Sequence, residues 1–396
     1  MMDFCLRCRG RVCPKDGCIL KQRLKINNNV NQSFKKEFFG ESYNIFVGRY
    51  GYPDVNVGLL NLTEPKKDGT VDNPLLWSRE NFGINDVIQR RSALINSNFK
   101  TQIKGFNDRY MDLVKELSMA SRPVDTEIVL EKKPQVKLTL NSESAPHGPT
   151  IKLEKARATE NISIPEKVYK ISNDDISASE SLTILYNKGF DEHYLTKVFS
   201  VGNLGQRANK KLVPTRWSIT AVDDTLGKNI IREITNYNQT EYALYYGGYL
   251  GNYYIIMFFP EPWSYELFET SVRTKELWHD YEHYYGRKNY ASETAGGYYA
   301  TRFSILQKLQ NLKRQATVLA LRFVTDEYWA PLGVWVVREA VKKTMNAKPI
   351  MFDSKELMIK YAFDLASKNF AYNVSHMYAK SELLKYLGTQ KKLNEY

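Results

Sequence analysis

The sequence predicts an α+β fold: a mixed, largely antiparallel sheet with a helical C-terminal third and a small N-terminal metal knuckle. Three observations carry this reading. All four cysteines of the 396-residue chain lie within positions 5–18. Short apolar runs bounded by Gly, Pro, Asn and Asp recur ahead of the C-terminal third, as strands and turns do. From Tyr298 onward the apolar spacing becomes helical. Hydrophobic residues make up 43% of the chain, enough to bury a sizeable core, so the whole is not a disordered tail.

Residues 1–36 are the first expected unit, a knuckle with a basic arm. Cys5, Cys8, Cys13 and Cys18 are spaced C-x2-C-x4-C-x4-C, and Gly10, Gly17 and Pro14 suit a chain folding tightly around one ion. Structural Zn2+ is the favoured occupant. An iron–sulfur cluster takes the same ligands, and spacing alone does not separate the two. Two disulfides are disfavoured in a chain that starts without a signal peptide. The segment carries nine Lys or Arg (among them Arg7, Arg9 and Arg11) against Asp3 and Asp16. With a net charge of +12 for the whole chain, this suits a polyanionic partner.

An N-terminal α/β region is expected over 37–140. Gly48-Arg49-Tyr50-Gly51-Tyr52-Pro53 reads as a turn into a strand with alternating Val55, Val57 and Leu59. Val87–Leu117 has broadly helical spacing. Thr126–Leu130 and Gln135–Leu140 read as a hairpin around Lys132-Lys133-Pro134. Residues 141–165, rich in Ser, Glu, Pro and Lys, are expected to be a linker or long loop.

The main α+β domain is expected over 166–387. Ser179–Lys188 and Glu192–Ser200 read as helices, and Trp217–Val222 as a strand. Tyr242–Tyr246 and Tyr253–Phe259, on either side of Gly247-Gly248 and Gly251, read as an antiparallel pair. Tyr298–Lys313, Ala316–Thr325, Val334–Met345 and Ser354–Leu387 all read as helical. The apolar runs Tyr253–Phe259 and Val318–Leu321 are stopped by Pro260 and Arg322, far short of a bilayer-spanning segment. A cytoplasmic protein without membrane contact is the expectation.

Several constellations bear on chemistry. Arg216 followed by Asp223 and Asp224 suits a phosphate clamp with a divalent-metal site, the catalytic set of a phosphodiester- or nucleotide-directed hydrolase. The same acids suit a helix N-cap. His279 and His283 would share a helical face at i, i+4, although the motif departs from H-E-x-x-H. Thr294-Ala-Gly-Gly opening a helix offers amides for an anion, or close helix packing. Arg49 and Tyr52 interleave charge with aromatic surface, as nucleic-acid interfaces do, and Tyr284, Tyr285 and Tyr290 surround Arg287 in the same manner. No Walker, G-x-S-x-G or G-x-G-x-x-G motif occurs.

The tail, residues 388–396, ends Gln390-Lys-Lys-Leu393-Asn-Glu-Tyr396. It resembles the peptide by which replication and repair proteins dock on the sliding clamp (PCNA), with Gln390, Leu393 and Tyr396 as contacts and one terminal aromatic instead of two.

As a set, the cysteine knuckle, Phe46-Val-Gly-Arg-Tyr-Gly-Tyr-Pro, Arg91-Ser92, Lys211–Asp224, Phe259-Pro-Glu-Pro-Trp263, Gly286-Arg-Lys, Ala295-Gly-Gly-Tyr-Tyr and the tail resemble the archaeal Nre family of DNA repair proteins over nearly the whole chain. The resemblance implies an archaeal cytosol, a role in tolerating DNA damage, and a clamp partner. It implies no settled reaction. The expected function is a nucleic-acid-binding repair factor tethered to the clamp, with DNA as its other partner. The alternatives are the metal-dependent hydrolase above and an RNA-binding or scaffold protein.

Overall fold

Alternation between inward and outward side chains is clearest in the strand Val124–Leu130, where every second residue is buried. That strand is one stave of a barrel. The computed structural model describes residues 34–64, 69–105, 109–135 and 148–389. Its contacts divide the chain into two units, Met1–Leu226 with Trp329–Leu332, and Gly227–Tyr328 with Gly333–Tyr396. The N-terminal knuckle lies outside the described residues.

In the first unit, strands β1 (Glu37–Val47), β2 (Asp54–Asn61), β3 (Ile95–Gln102), β4 (Val124–Leu130) and β5 (Thr150–Ala158) close in the order β1-β2-β3-β5-β4. Only the β3–β5 pairing is parallel. Helices α1 (Pro74–Arg79) and α2 (Ile84–Ala93) precede β3, and α3 (Met111–Met119) joins β3 to β4. A five-stranded barrel of this order, with a helix between its third and fourth strands, has the topology of the OB-fold. Val55, Val57, Leu59, Phe99, Ile128 and Leu130 fill the barrel, and Met111, Val114 and Leu117 of α3 pack against them. Burying side chains of this kind contributes about 1.5–3 kcal/mol each. Beyond the barrel come α4 (Glu166–Asn173), α5 (Ala178–Asn187), α6 (Glu192–Ser200) and α7 (Thr215–Ile234).

Several expectations in this unit are corrected. The helical stretch over Val87–Leu117 is α2, β3 and α3 in succession. Inward Ile95, Ser97 and Phe99 alternate with Asn96, Asn98 and Lys100, and an inward serine blurs the two-residue period. Within the expected linker, Thr150–Ala158 is β5, a barrel stave whose only buried residues are Ile151 and Leu153. β4 pairs with β5 and β1, not with Gln135–Leu140, of which 136–140 lie outside the described residues. The expected strand Trp217–Val222 is the start of α7. Branched Ile219 and Val222 favour a strand locally, but Val222, Leu226, Ile230 and Ile234, all buried, recur every fourth residue and favour the helix.

The second unit is built on a six-stranded sheet of order β11-β6-β7-β10-β8-β9: β6 (Tyr242–Tyr249), β7 (Asn252–Phe259), β8 (Ser264–Ser271), β9 (Leu277–Glu282), β10 (Thr317–Val324) and β11 (Ile350–Phe352). All neighbours are antiparallel except β10 and β8. Helix α10 (Lys355–Phe370) covers one face, seating Met358, Ala362 and Phe370 against Leu244, Met257 and Phe323. On the other face lie α8 (Ala295–Leu312) and α9 (Trp335–Asn346). Helices α11 (Ser375–Lys380) and α12 (Glu382–Thr389) complete the described chain. The fold class is therefore as expected: mixed helices and antiparallel-dominated sheets, with helices gathered toward the C-terminus.

The helix expected over Ala316–Thr325 is β10, a strand between two others. Both of its faces are buried, so its apolar run carries no alternation to betray it. His279 lies in β9 and His283 just beyond it, not on a helix. Four residues along a strand span about 13 Å, too far for one ion. The Tyr281 ring stands between them, 5.7 Å from His279 and 5.3 Å from His283.

Carboxylates occupy the start of α8. Asp280 accepts from Thr294 N (2.8 Å) and Thr294 Oγ1 (2.9 Å), and a Cβ on Gly297 would stand 2.3 Å from Glu269 Oε1. Close packing therefore accounts for Gly297, and the anion at this helix end is the protein's own.

Candidate nucleic-acid interface

The β1–β2 loop is shaped by its own sequence. Gly51 sits at φ +84°, where a Cβ would also meet the Asp54 carbonyl oxygen at 2.9 Å. The Gly48 amide bonds Asn56 O at 2.8 Å, and the Asp54 amide bonds Gly51 O at 2.9 Å. With its backbone closed in this way, the loop turns its side chains outward. Tyr50 is 77% exposed and Tyr52 41%. The Arg49 guanidinium lies 5.0 Å from the centre of the Tyr50 ring and donates to its hydroxyl at 3.2 Å.

Two distant segments are fastened to this loop. The Val47 amide donates to Thr215 Oγ1 at 2.9 Å, which sets the first turn of α7 beside the end of β1. Ile103 follows β3 and joins both sides: its amide bonds Pro53 O at 3.0 Å, and its carbonyl accepts from the Leu212 amide at 2.8 Å. The Trp217 ring thereby comes to 5.2 Å from Tyr52, inclined at 54°, and remains 45% exposed.

The segments that carry these rings also carry cations. Lys104 and Lys211 flank the Ile103 junction, Arg216 adjoins Trp217, and Arg49 lies on the loop. Among the described residues none of these four forms an ion pair. Nearby, Lys100 reaches Asp54 only at 4.0 Å, with both side chains largely exposed. Burial lowers the Lys210 ammonium pKa, and repulsion from Lys115 and Arg207 lowers it further against the pull of Asp175. On the adjoining outer face of β2 and β3, Asn56 pairs with Lys100 and Gly58 with Asn98, a polar surface without aromatics.

Of the residues singled out from the sequence, Arg49 and Tyr52 share the β1–β2 loop, and Arg216 precedes Trp217 in the first turn of α7. Asp223 and Asp224 are not part of it. They lie on α7 about two turns from Arg216, roughly 10 Å along the axis, at 1.5 Å per residue. Asp223 is fully buried, and neither acid is without a partner. They are mid-helix residues, so neither caps the N-terminus of a helix. Cys5, Cys8, Cys13, Cys18, Arg7, Arg9, Arg11, Gln390, Leu393 and Tyr396 all lie outside the described residues.

Trp217, Lys104 and Lys211 were not singled out from the sequence. Their signal was visible only as a basic residue beside an aromatic in Arg216-Trp217.

Family comparisons agree with the motif set. The description "Archaeal Nre, N-terminal" matches residues 12–279, and "Archaeal Nre, C-terminal" matches residues 282–396. The chain belongs to the archaeal Nre family. It is 36% identical to the DNA repair protein NreA of Haloferax volcanii, over 78% of each chain. It is 34% identical to NreA of Archaeoglobus fulgidus over 88% of this chain and 90% of that one, and 32% identical to NreB of the same organism over 99% of both. No solved structure matches. The two Nre matches meet inside β9, whereas the structural units divide within α7, so the Nre N-terminal region spans the barrel and the first strands of the sheet.

A second cluster in this Nre chain surrounds Arg91, one of the motif residues. Its guanidinium lies 5.2 Å from the Trp77 ring centre, pairs with Asp72 at 3.4 Å and donates to Leu332 O at 2.8 Å. Asn44 donates to the same Asp72 at 2.7 Å. The role visible here is to hold β1 and α2 together. Burial also pushes the Lys197 ammonium down to about 8, with Asp72 and Asp191 opposing the shift. Among the described residues no helix is long and apolar enough to cross a membrane.

Proposed function

We propose that this chain is a DNA repair protein whose barrel unit binds DNA through the surface formed by the β1–β2 loop, the end of β3 and the start of α7. One observation carries the reading: two partly exposed rings, Tyr52 and Trp217, meet at 5.2 Å, and Arg49, Lys104, Lys211 and Arg216 on the same segments have no acidic partner among the described residues. Stacking surfaces and phosphate-seeking charge together are what nucleic acid requires. The OB-type topology supports it, because the loop between the first two strands and the face of strands two and three are where such barrels hold oligonucleotides. The relatives' printed names supply the repair setting.

In this reading the basic N-terminal segment, with Arg7, Arg9 and Arg11, adds phosphate contacts around a four-cysteine zinc knuckle. The C-terminal peptide (Gln390, Leu393 and Tyr396) tethers the protein to the sliding clamp. The hydrolase alternative would use Arg216 with Asp223 and Asp224, about two turns further along α7.

The test is binding of a fluorescein-labelled oligonucleotide by the full chain and by Arg49→Gln/Arg216→Gln. The double variant should bind at least tenfold more weakly while keeping its fold. Unchanged affinity would remove this surface from the proposal.

A further inference from the structure

We infer that the Tyr52–Trp217 surface takes a single strand, with unstacked bases laid against the rings, rather than a duplex. This rests on the DNA-binding reading above and names the form of DNA. A duplex shows a protein phosphates and base edges, whereas the flat faces of its bases are used up in its own stack. Only a single strand offers those faces, and stacking on aromatic side chains is how sequence-tolerant single-strand sites hold it.

The geometry fits that use. At an inclination of 54° the two rings do not cover each other face to face, and both stay partly exposed with no described side chain stacked over them. Exposed rings in contact form an apolar patch of the kind that marks an interaction site, and two inclined rings suit a planar ligand. Tyr50, at the loop tip with Arg49 against its ring, adds a third planar surface on the same loop. Lys104 and Lys211, beside the Ile103 junction, and Arg216, beside Trp217, are exposed and supply charge for a strand's phosphates. The outer face of β2–β3 continues the surface with Asn56, Asn98 and Lys100, amide and ammonium groups suited to base edges and phosphates. A flat cationic patch would serve a duplex equally well; exposed rings at the centre of the patch would not.

The experiment titrates the full-length protein against a labelled 15-nucleotide DNA strand and against the same sequence as a blunt duplex. Wild type should prefer the strand by at least tenfold. Tyr52→Leu and Trp217→Leu should each weaken strand binding about tenfold, the order expected for one lost base stack, and weaken duplex binding much less. Tyr52→Phe should restore strand affinity, which separates stacking from any loss of fold. Arg49→Gln/Arg216→Gln should weaken both forms alike.

Equal or tighter duplex binding, or ring variants that weaken both forms equally, would overturn the single-strand assignment while leaving DNA binding intact. Charge variants without effect on either form would instead overturn the underlying DNA-binding reading. A ribo-oligonucleotide bound more tightly than its DNA counterpart would overturn the choice of DNA.

Discussion

The Val47 amide donates to Thr215 Oγ1 at 2.9 Å, joining the end of the first barrel strand to the first residue of α7 across 168 positions of sequence. Neither residue is part of the aromatic centre, yet their bond is one of the links that hold the first turn of α7, with Trp217, to the barrel beside Tyr52. Thr215→Val removes the acceptor and keeps the shape. With Val47 buried, the orphaned amide should cost about 1–3 kcal/mol in urea unfolding. DNA affinity should fall although every contacting side chain is still present. Unaltered stability and affinity would show that the loop is positioned by other means.

Lys197 makes a pH-dependent prediction. Its folded pKa, near 8, lies below the ordinary 10.5, because burial disfavours the charged form. The unfolded chain therefore binds the proton more tightly, and folding carries the whole penalty below about pH 8. The penalty fades as pH rises toward 10.5. Lys197→Met should raise the melting temperature at pH 7, and its advantage over wild type should shrink between pH 8 and 10.5. A variant less stable than wild type at pH 7 would mean that Asp72 and Asp191 outweigh the burial.

The knuckle is tested by elemental analysis. Purified protein should contain about one zinc per chain, and Cys13→Ser should lose it while the barrel and sheet stay folded, since their core residues lie elsewhere. Iron with visible absorbance, or metal-free protein with intact thiols, would contradict the zinc proposal.

The tail is tested by titrating the clamp with the full chain, with a chain ending at Thr389, and with Tyr396→Ala. One terminal aromatic should give roughly micromolar binding, because ordering the peptide offsets much of the apolar gain. Both changes should abolish clamp binding and leave DNA affinity unaltered. Equal clamp affinity across the three would remove the tether.

Much of the fold was legible where one face of an element is wet. β4 alternates without exception, and α6 is announced by Asp191, whose carboxylate accepts from the His193 and Tyr194 amides at 2.9 Å. Legibility failed where burial erased the pattern, as in β10, or where polar inward residues broke it, as in β3 with Ser97. The residue types of the interface were readable in Arg49, Tyr52 and Arg216. Their meeting was not, because it depends on Ile103 bonding to both Pro53 and Leu212, a long-range pairing that local sequence does not encode.

The central claim is that Arg49 and Arg216 face DNA phosphates beside the two rings, and the salt dependence of binding tests it most directly. For single-stranded DNA, log affinity against log salt should flatten by about 0.7 for each lost phosphate contact, hence by roughly 1.4 in Arg49→Gln/Arg216→Gln. Trp217→Leu should lower affinity without changing the slope. A double variant with the wild-type slope would contradict the account, whatever its affinity.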